Sequence, residues 1–389
     1  MVHETQNIMV VTGGRADFGL LTRICDLLDC DPRVNLILAA TGYHFNSELG
    51  NTIDEVRSKS YSEMIEVNLD INSDTVYSPS QFVSTAILKF NEVFQDRSLD
   101  KILVLGDRYE ILGVSIAASL AGIPIAHIGG GELTIGAFDE FIRHSITKMA
   151  SVHFTGHSDY QRRVIQMGEN PEVVFDVGSP GAENIEEMKE QLLSKTECEK
   201  ILGMNLTRRS FFVTFHPETR SLEQTTNHLE ELLGALDSFE ETNVIFSLPN
   251  ADPNFLKFIK RVISFIEQKP DFRFVSANFG QKVYFSLLQF VDVVIGNSSS
   301  GILEVPSFKI GTVNIGDRQK GRVKGENLID VDPVKNKIIN AIETALSSEF
   351  RFKLLKSKNP FFKPHTSKNI VEILVASPWA DNKKEFYDL

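Results

Sequence analysis

Short apolar runs alternate with longer amphipathic stretches along the whole chain. Runs in the first half predict buried strands at Ile8–Thr12, Val34–Ala40, Lys101–Leu105, Ile123–Ile128 and His153–Thr155. A second series predicts strands at Phe211–Thr214, Asn243–Ser247, Phe272–Val275, Val291–Ile295 and Thr312–Ile315. Segments with helical periodicity separate these runs, and such alternation is typical of α/β units with parallel, doubly wound sheets.

The chain has 389 residues, more than one hydrophobic core usually supports, so two domains are expected. The polar, helix-rich stretch Gly178–Leu206 is predicted to join them, which gives an N-terminal domain over 1–180 and a C-terminal domain over 181–367. The helical pattern in Lys368–Ser377 predicts that the segment 368–389 packs back on the first domain. Ligands of open α/β sheets bind beyond the carboxyl ends of the strands, so a cleft between the domains is the expected site.

Composition narrows the classes of function. The formal net charge of −12 disfavours nonspecific attraction to nucleic acid or an anionic membrane, so neither is an expected partner. The three cysteines, Cys25, Cys30 and Cys198, lack metal-ligand spacing and indicate a reducing compartment. Because the N-terminus is polar and no apolar run reaches membrane-spanning length, the chain is expected in the cytoplasm.

A diphosphate site is predicted where the run ending at Ile295 gives way to Gly296–Gly301, which contains three consecutive serines. The pattern of Ser300–Val305 predicts a helix start, where backbone N–H groups bind anions. One helical turn later, Glu304 could accept hydrogen bonds from both hydroxyls of a ribose. Basic residues then stand at alternate positions, so an extended segment would direct them to one side: Arg318, Lys320, Arg322 and Lys324.

Three acidic residues follow consecutive predicted strands. Asp107 lies in Leu105–Glu110, Glu132 ends a glycine run, and Asp139 opens a predicted helix seven positions later. Converging carboxylates suit proton abstraction and donation. Structural alternatives stay open, since Asp107 could form a surface ion pair with its neighbour and Asp139 could cap its helix.

Other polar residues also follow predicted strands. Arg15 could reach a phosphate or carboxylate, although its glycine-rich loop is equally consistent with a plain strand–helix turn. His216 leaves a strand next to Pro217 and is expected in an exposed loop, whereas Asn250 is either a ligand contact or a turn former. The histidines and acids show no zinc or iron spacing, so no metal site is predicted.

With these motifs the chain resembles the UDP-N-acetylglucosamine 2-epimerase family, and in particular its hydrolysing, NeuC-type branch of sialic acid synthesis. The matching segments are spread over nearly the whole chain: Gly14–Asp17, Thr41–Gly42 with His44, Gly50–Thr52, Leu105–Glu110, Asp139–Met149, His216–Thr219, Gly296–Gly301 and Asn314–Arg322. The strings Ile142–Met149 and Gly316–Arg322 are too specific to arise from fold constraints alone.

The resemblance implies a GT-B-like fold of two Rossmann-like domains, with UDP held mainly by the C-terminal one. It implies nucleotide contacts from Arg15, His216, Asn250, Ser298, Ser299, Glu304 and Arg318. Ser298 and Ser299 would contact the diphosphate and Glu304 the ribose. Asp107, Glu132 and Asp139 would line the sugar side, with His44 nearby. The resemblance further suggests a homodimer or homotetramer.

The implied reaction converts UDP-N-acetylglucosamine (UDP-GlcNAc) and water to N-acetylmannosamine (ManNAc) and UDP. It passes through 2-acetamidoglucal by elimination and then adds water, so no redox cofactor is needed. One position departs from several relatives, which carry an acid in a His-Ile-Glu pattern where this chain has Gly129. The nearest acid is Glu132, and Asp107 and Asp139 are the other candidates for proton transfer.

Four alternatives stay open. The substrate could be a UDP- or GDP-linked 2,4-diacetamido-2,4,6-trideoxyhexose, used for legionaminic-type acid synthesis. The enzyme could be a non-hydrolysing epimerase that returns UDP-ManNAc, or a retaining glycosyltransferase of the same fold. The chain could instead be a nucleotide-sugar sensor disabled at Gly129, which predicts tight UDP binding without turnover.

Overall fold

The computed structural model of the chain describes residues 5–45, 52–69, 79–134, 138–206, 209–216, 222–248, 256–277, 279–376 and 384–388. The strands are β1 Gln6–Thr12, β2 Val34–Thr41, β3 Glu63–Val67, β4 Lys101–Leu105, β5 Ile125–Ile128, β6 Val152–Thr155, β7 Val174–Asp176, β8 Ser210–Thr214, β9 Asn243–Ser247, β10 Arg273–Ser276, β11 Val293–Gly296, β12 Gly311–Ile315 and β13 Leu328–Val331.

The helices are α1 Arg15–Asp29, α2 Ile53–Arg57, α3 Pro79–Gln95, α4 Tyr109–Leu120, α5 Asp139–Met149, α6 Ser158–Gln166, α7 Pro180–Met188, α8 Lys195–Leu202, α9 Leu222–Asp237, α10 Leu256–Glu267, α11 Gly280–Leu288, α12 Ser300–Leu303, α13 Lys335–Leu346, α14 Ser348–Lys356 and α15 Thr366–Ala376. Short 3₁₀ turns lie at Gly42–Phe45, Pro171–Val173, Lys189–Gln191 and Val305–Phe308. Within the described ranges, no helix combines the length and the apolar character needed to cross a bilayer.

The strands form two sheets in which every observed pairing is parallel. Among the described residues, the first sheet has seven strands in the order β3-β2-β1-β4-β5-β6-β7, and the second has six in the order β10-β9-β8-β11-β12-β13. The prediction of two doubly wound, parallel α/β sheets is therefore confirmed. Strands β3, β7 and β13 were not predicted.

The chain divides into two compact units. Unit 1 comprises Met1–Glu132, Phe138–Asn184 and Lys363–Leu389, and unit 2 comprises Leu133–Ala137 and Ile185–Phe362. Each unit has apolar cores on both faces of its sheet. Alternate residues of β1 supply the two faces of unit 1, since Ile8 and Val10 belong to one core and Met9 and Val11 to the other.

The last described helix, α15, belongs to unit 1. Its Ile370 and Leu374 are buried in the same core as Phe18 and Leu21 of α1. The buried Lys101 donates a hydrogen bond from Nζ to the Leu374 carbonyl at 2.7 Å and so satisfies an acceptor at the end of this helix. Packing and capping thus fix α15 on the sheet of unit 1.

Each sheet reverses its strand order at one point. In unit 1 the reversal lies between β1 and β4, and in unit 2 it lies between β8 and β11. The loops that leave such adjacent strands diverge to opposite faces of the sheet, and the crevice between them is the usual ligand site of open α/β folds. The residues that follow these four strands are therefore the first candidates for function.

Candidate functional site

In unit 1, the loops after β1 and β4 bring acidic and basic side chains to the point of strand reversal. Arg108 donates from Nε to Oε1 of the fully buried Glu110 at 2.6 Å, and its guanidinium lies 4.5 Å from the ring centroid of Tyr43. A Cβ on Gly13 would lie 2.2 Å from Glu110 Oε1, so only glycine allows the first loop to pass this close to the carboxylate. The surface ion pair considered for Asp107 and Arg108 does not form, because Arg108 pairs with Glu110 instead.

Asp17 is a buried carboxyl at this same point that received no role in the sequence analysis. Burial raises the pKa of Asp17 to about 7, the charge of Arg108 opposes this shift, and the charges of Glu110 and Asp107 add to it. No partner for its Oδ2 is found among the described residues. The group therefore holds a proton close to neutral pH beside the loop that carries Asp107.

Asp107 itself is fixed by Arg143, a residue of α5 that was quoted in the family resemblance but given no function. The two side chains form an ion pair between Arg143 Nη2 and Asp107 Oδ2. Arg143 has only 2% of its side chain exposed, and its Nη1 also donates to the Glu132 carbonyl at 2.9 Å and reaches Glu140 Oε2 at 3.4 Å. This one guanidinium therefore connects the loop after β4, the loop after β5 and the first turn of α5.

The other two predicted acids lie in the elements that Arg143 connects. Glu132 contributes its backbone carbonyl to Arg143, and its charge also lies close to that guanidinium. Asp139 is the first residue of α5, while Phe138 occupies the N-cap position without a side-chain capping bond. Burial and the charge of Asp139 together raise the pKa of Tyr109, which follows the loop after β4. Asp107 and Glu132 thus lie next to one buried arginine, and Asp139 opens the helix that carries it.

Two buried histidines next to these loops, His44 and His127, are neutral and already hydrogen-bonded. The pKa of His44 falls to about 4 because the ring is buried, and Thr12 and Thr52 hold its two nitrogens at 3.0 and 2.9 Å. The pKa of His127 falls to about 3 for the same reason, and its Nε2 bonds the Gly106 carbonyl at 2.8 Å. A direct polar contact between His44 and a substrate would require one of these bonds to break.

Arg15, the remaining predicted residue of unit 1, opens α1. Its Nε lies 3.2 Å from Glu55 Oε2, and both side chains are substantially exposed. The ion pair leaves the arginine able to exchange partners at little cost, because exposed pairs contribute about 0–1 kcal/mol. A phosphate contact from Arg15 stays a prediction.

In unit 2, Asn297 organises the point of strand reversal. Its fully buried side chain accepts a hydrogen bond from the His216 backbone N–H at 2.7 Å and donates one to the His216 carbonyl at 2.9 Å. Its own carbonyl accepts from Arg318 Nη1 at 2.9 Å and from Gln319 Nε2 at 2.8 Å. One residue, which received no role in the sequence analysis, therefore joins the loops after β8, β11 and β12.

His216 and Arg318 lie together as a result. Burial and the nearby charge of Arg318 lower the pKa of His216 to about 3, so the ring is neutral and can donate only one N–H to a ligand. Gly296 permits the close approach of β11 to β8, since it has φ +139° and its Cβ would lie 1.9 Å from the Thr214 carbonyl. Asn250, which was predicted beside these residues, lies outside the described residues.

The prediction that the basic residues after β12 form one cluster on an extended segment is wrong. The segment is a turn, in which the Lys320 N–H bonds the Asp317 carbonyl at 2.8 Å. Lys320 is paired with Asp317 and Lys324 with Asp330, whereas Arg322 donates to the Leu133 carbonyl at 2.8 Å. The side chains therefore diverge, because a turn does not keep alternate residues on one side.

The predicted helix start at Ser300 is confirmed, and the helix that begins there is short. The α-helix ends at Leu303 after four residues and continues as the 3₁₀ turn Val305–Phe308. Ser298 Oγ accepts from the Ser300 N–H at 3.3 Å, and Ser300 Oγ is hydrogen-bonded to the Tyr284 hydroxyl. Ser299 occupies the N-cap position without a side-chain capping bond.

Glu304 closes this polar group at the end of α12. Burial raises the pKa of the Glu304 carboxyl, while a hydrogen bond from Ser300 opposes the shift. Burial and the charge of Glu304 also raise the pKa of the Tyr284 hydroxyl. Tyr284, Ser300 and Glu304 thus form one half-buried group with hydroxyl and carboxyl acceptors, which suits recognition of vicinal hydroxyls such as those of a ribose.

Comparisons with known proteins place the chain in a family. The model of the family described as UDP-N-acetylglucosamine 2-epimerase matches residues 27–375. The chain belongs to the UDP-N-acetylglucosamine 2-epimerase family. The polysialic acid biosynthesis protein P7 of Escherichia coli is 40% identical over 387 residues, which are 99% of this chain and 98% of the relative.

Two further matches cover most of the chain. The GDP/UDP-N,N'-diacetylbacillosamine 2-epimerase (hydrolyzing) of Campylobacter jejuni is 36% identical over 346 residues and 89% of each chain. The crystal structure of UDP-GlcNAc 2-epimerase from Neisseria meningitidis bound to UDP-GlcNAc matches with a TM-score of 0.83 at 18% identity, over 96% of this chain and 100% of the other. This structural match supports the GT-B-like fold class for the two parallel-sheet units.

Proposed function

We propose that the protein is a hydrolysing 2-epimerase that converts UDP-GlcNAc and water to ManNAc and UDP for sialic acid synthesis. Family membership supports the nucleotide-sugar substrate class and inversion at C2. The 40% identity to a polysialic acid biosynthesis protein supports the pathway, and the Campylobacter jejuni relative, which is named as hydrolysing, supports release of the free sugar.

The observation that carries the proposal is the placement of the three acids around Arg143 and its helix. The Asp107 carboxylate pairs with this buried guanidinium, the Glu132 carbonyl accepts a hydrogen bond from it, and Asp139 opens the helix that carries it. A reaction that removes a proton from one face of a sugar carbon and returns one to the other face needs at least two positioned acids. The arrangement supplies candidates for both steps.

The chemistry explains why departure of the diphosphate must come first. The hydrogen at C2 is barely acidic while C1 is bonded to the diphosphate oxygen. When that bond breaks, C1 becomes cation-like, the C2–H bond becomes acidic, and a carboxylate can take the proton to leave 2-acetamidoglucal and UDP. Water then adds its oxygen to C1 while C2 receives a proton on the opposite face, which gives ManNAc.

In this proposal Asp107 is the first candidate to remove the C2 proton, because its ion pair fixes its orientation. Asp139 or Glu132 returns a proton or orients the water. Positioned proton transfer of this kind contributes about 10²–10⁴-fold to a rate. Because the pKa of Asp17 is about 7, its carboxyl stays protonated below neutral pH and adds no negative charge beside the Asp107 loop.

Unit 2 is assigned the nucleotide. Arg318 and the neutral His216 are the candidates for stabilising the departing diphosphate, together with Ser298 and Ser299, and Glu304 is the candidate for the ribose. A hydrogen bond to a charged group contributes about 1.5–3 kcal/mol. Two or three such contacts would lower the barrier to C1–O cleavage substantially.

A second substrate is favoured by a specific observation. Two relatives at 36% and 30% identity are named as hydrolysing diacetylbacillosamine 2-epimerases. In addition, Gly129 lacks the side chain that was expected there, and among the described residues the atoms nearest its hypothetical Cβ belong to Gly106 at 3.9 and 4.0 Å. The space beside the acids could therefore hold the additional acetamido group of a 2,4-diacetamido-2,4,6-trideoxyhexose.

Proton NMR of the purified protein with UDP-GlcNAc in deuterated water tests the proposal. Free ManNAc with deuterium at C2, together with UDP, is the expected result. Nucleotide-linked ManNAc would reassign the protein as a non-hydrolysing epimerase. Turnover only of the diacetamido sugar-nucleotide would replace the substrate and keep the mechanism.

Asp107→Asn separates catalysis from binding. We expect turnover to fall by at least about 10²-fold, because the amide cannot take the C2 proton. UDP affinity, measured by calorimetry, is expected to stay within about twofold of wild type, since the nucleotide is assigned to unit 2. A wild-type protein that binds UDP tightly and turns over neither sugar-nucleotide would contradict the enzymatic proposal and support the sensor.

A further inference from the structure

Glu169, a buried carboxylate of unit 1, forms the centre of a second cluster of charged and polar side chains. The residue is 3% exposed. Its carboxylate receives hydrogen bonds from Lys148 at 2.5 Å, from His153 at 3.0 Å and from Lys384 at 2.7 Å. Burial opposes ionisation, but these three donors lower the pKa of Glu169 to about 2, so the group is a carboxylate at neutral pH.

Lys384 also binds the end of helix α5. Its Nζ donates to the Ala150 carbonyl at 2.6 Å and to the Thr147 carbonyl at 3.1 Å. The last four carbonyls of a helix have no partner within the helix, and a cation there also interacts favourably with the helix dipole. Lys384 therefore closes α5 from a segment more than 230 positions away in the sequence.

The neighbours of Lys384 are fixed as well. The Tyr387 N–H donates to the Gly168 carbonyl at 3.0 Å, and the Phe386 ring lies so close to Gly168 that a Cβ there would be 2.4 Å away. Lys148 Nζ lies 5.0 Å from the centroid of the same ring. We refer to residues 384–388 as the C-terminal strap.

Helix α5 also connects to the groups assigned to catalysis, since Asp139 is its first residue. Arg143 holds Asp107 from this helix. One turn later, Thr147 Oγ1 is 3.2 Å from His127 Nδ1, and His127 Nε2 bonds the Gly106 carbonyl directly before Asp107. Helix α5 is thus linked to the Asp107 loop directly through Arg143 and indirectly through His127, and a displacement of the helix would disturb both links.

We propose that the C-terminal strap positions helix α5 and, through it, the carboxylate of Asp107. Lys384 is a positioning residue in this proposal, since it contacts neither the assigned acids nor the assigned nucleotide groups. The role of α5 in turnover rests on the function proposed above.

Lys384→Met is the first test. The substitution leaves Glu169 paired with Lys148 and His153, so the fold should survive. We expect kcat for the sugar-nucleotide to fall about tenfold or more, because shifts of about 1 Å in a reacting group cost up to about 10²-fold. KM and the Kd for UDP are expected to stay within about twofold, since the nucleotide is assigned to unit 2.

Three further variants give a rescue, a control and a second perturbation of the strap. Lys384→Arg keeps the charge and several donors, so kcat should return to within about threefold of wild type. Lys368→Met removes an exposed lysine, paired with Glu372 at 3.7 Å on α15, and should leave kcat unchanged. Phe386→Ala, at an exposed residue of the strap, should lower kcat without loss of the fold.

Amide hydrogen exchange of residues 139–149 supplies a readout that does not depend on activity. Lys384→Met should speed this exchange about tenfold, because the helix loses its closing contacts. Unchanged kcat and exchange would overturn the proposal, as would an equal loss of kcat and UDP affinity without rescue by Lys384→Arg. If the wild type turns over no sugar-nucleotide, the proposed function fails, and exchange alone then decides whether the strap fixes α5.

Discussion

Asp17→Asn is the substitution for which the structure gives the clearest energetic expectation. Asp17 is 8% exposed, and burial raises its pKa to about 7 from the ordinary value of 3.8. Arg108 opposes this shift, and Glu110 and Asp107 add to it. Asparagine has nearly the shape of the protonated carboxyl but never ionises, so it isolates the cost of the charge.

The sign of the effect follows from proton binding in the two states. The folded chain keeps a proton on Asp17 up to about pH 7, whereas the unfolded chain loses it near pH 4. The free energy of unfolding therefore falls as pH rises through this window. Since one unit of pKa corresponds to about 1.4 kcal/mol and about pH 5 lies two units below the folded pKa, the loss by about pH 8 is on the order of 3 kcal/mol.

Urea unfolding at about pH 5 and about pH 8 measures this loss for wild type and Asp17→Asn, with amide exchange in α1 as the readout for unit 1. From about pH 5 to about pH 8, the free energy of unfolding of Asp17→Asn should rise relative to that of the wild type by on the order of 3 kcal/mol. Asp54→Asn, at an exposed carboxylate paired with Arg57 at 2.9 Å, is the control and should show no such gain. If the difference in free energy of unfolding between wild type and Asp17→Asn is the same at both pH values, the argument that Asp17 is protonated in the folded chain is refuted.

Three other substitutions test the connections within each unit. Arg143→Met should lower kcat by about 10²-fold with UDP affinity unchanged, because Asp107 loses the group that orients it. Asn297→Ala should weaken UDP binding by about 30-fold in calorimetry, since two hydrogen bonds to the His216 backbone are lost at roughly 1 kcal/mol each. Gly296→Ala should destabilise unit 2 by at least about 2 kcal/mol in urea unfolding, because its backbone conformation suits only glycine and its Cβ has no space.

Each of these substitutions has a matched control. Arg162→Met removes a largely exposed arginine and should leave kcat unaltered. Asn297→Asp keeps the acceptor for the His216 N–H but loses the donor, so its UDP affinity should lie between wild type and alanine. Gly203→Ala alters another glycine of positive φ, with no described atom within 4 Å of the new Cβ, and should cost only about 1 kcal/mol. If a variant and its control change kcat, UDP affinity or stability by the same amount, the contact proposed for that variant does not explain the change.

Hydrophobic patterning predicted the central strands because they are buried on both faces. In β1, for example, Ile8 to Val11 form an unbroken apolar run that needs no tertiary knowledge to recognise. The strands that were missed, β3, β7 and β13, all lie at sheet edges, where one side is unpaired and the side chains are mostly half-buried. Their mixed sequences resemble loops because less apolar surface is required there.

Sequence reasoning could select candidate site residues but not the contacts that connect them. Asp107 and His216 were selected because they follow strands, which is where α/β folds place ligand groups. Arg143 and Asn297 have no comparable signal. A charged residue on the buried face of α5 and a loop asparagine acquire meaning only from partners far away in the sequence, such as Asp107 and His216. The prediction for the basic segment after β12 was wrong for the same reason, since the turn and the ion pairs of this segment depend on tertiary contacts.

The route of the chain through the two units has a consequence for synthesis on the ribosome. Unit 1 needs α15, whose Ile370 and Leu374 complete the core around Phe18, yet this helix is translated only after all of unit 2. A nascent chain that has emerged up to about residue 360 would therefore expose an apolar face of α1, while unit 2 could already close its own cores. We expect unit 2 to finish folding first and the unfinished unit 1 to be the part that chaperones retain.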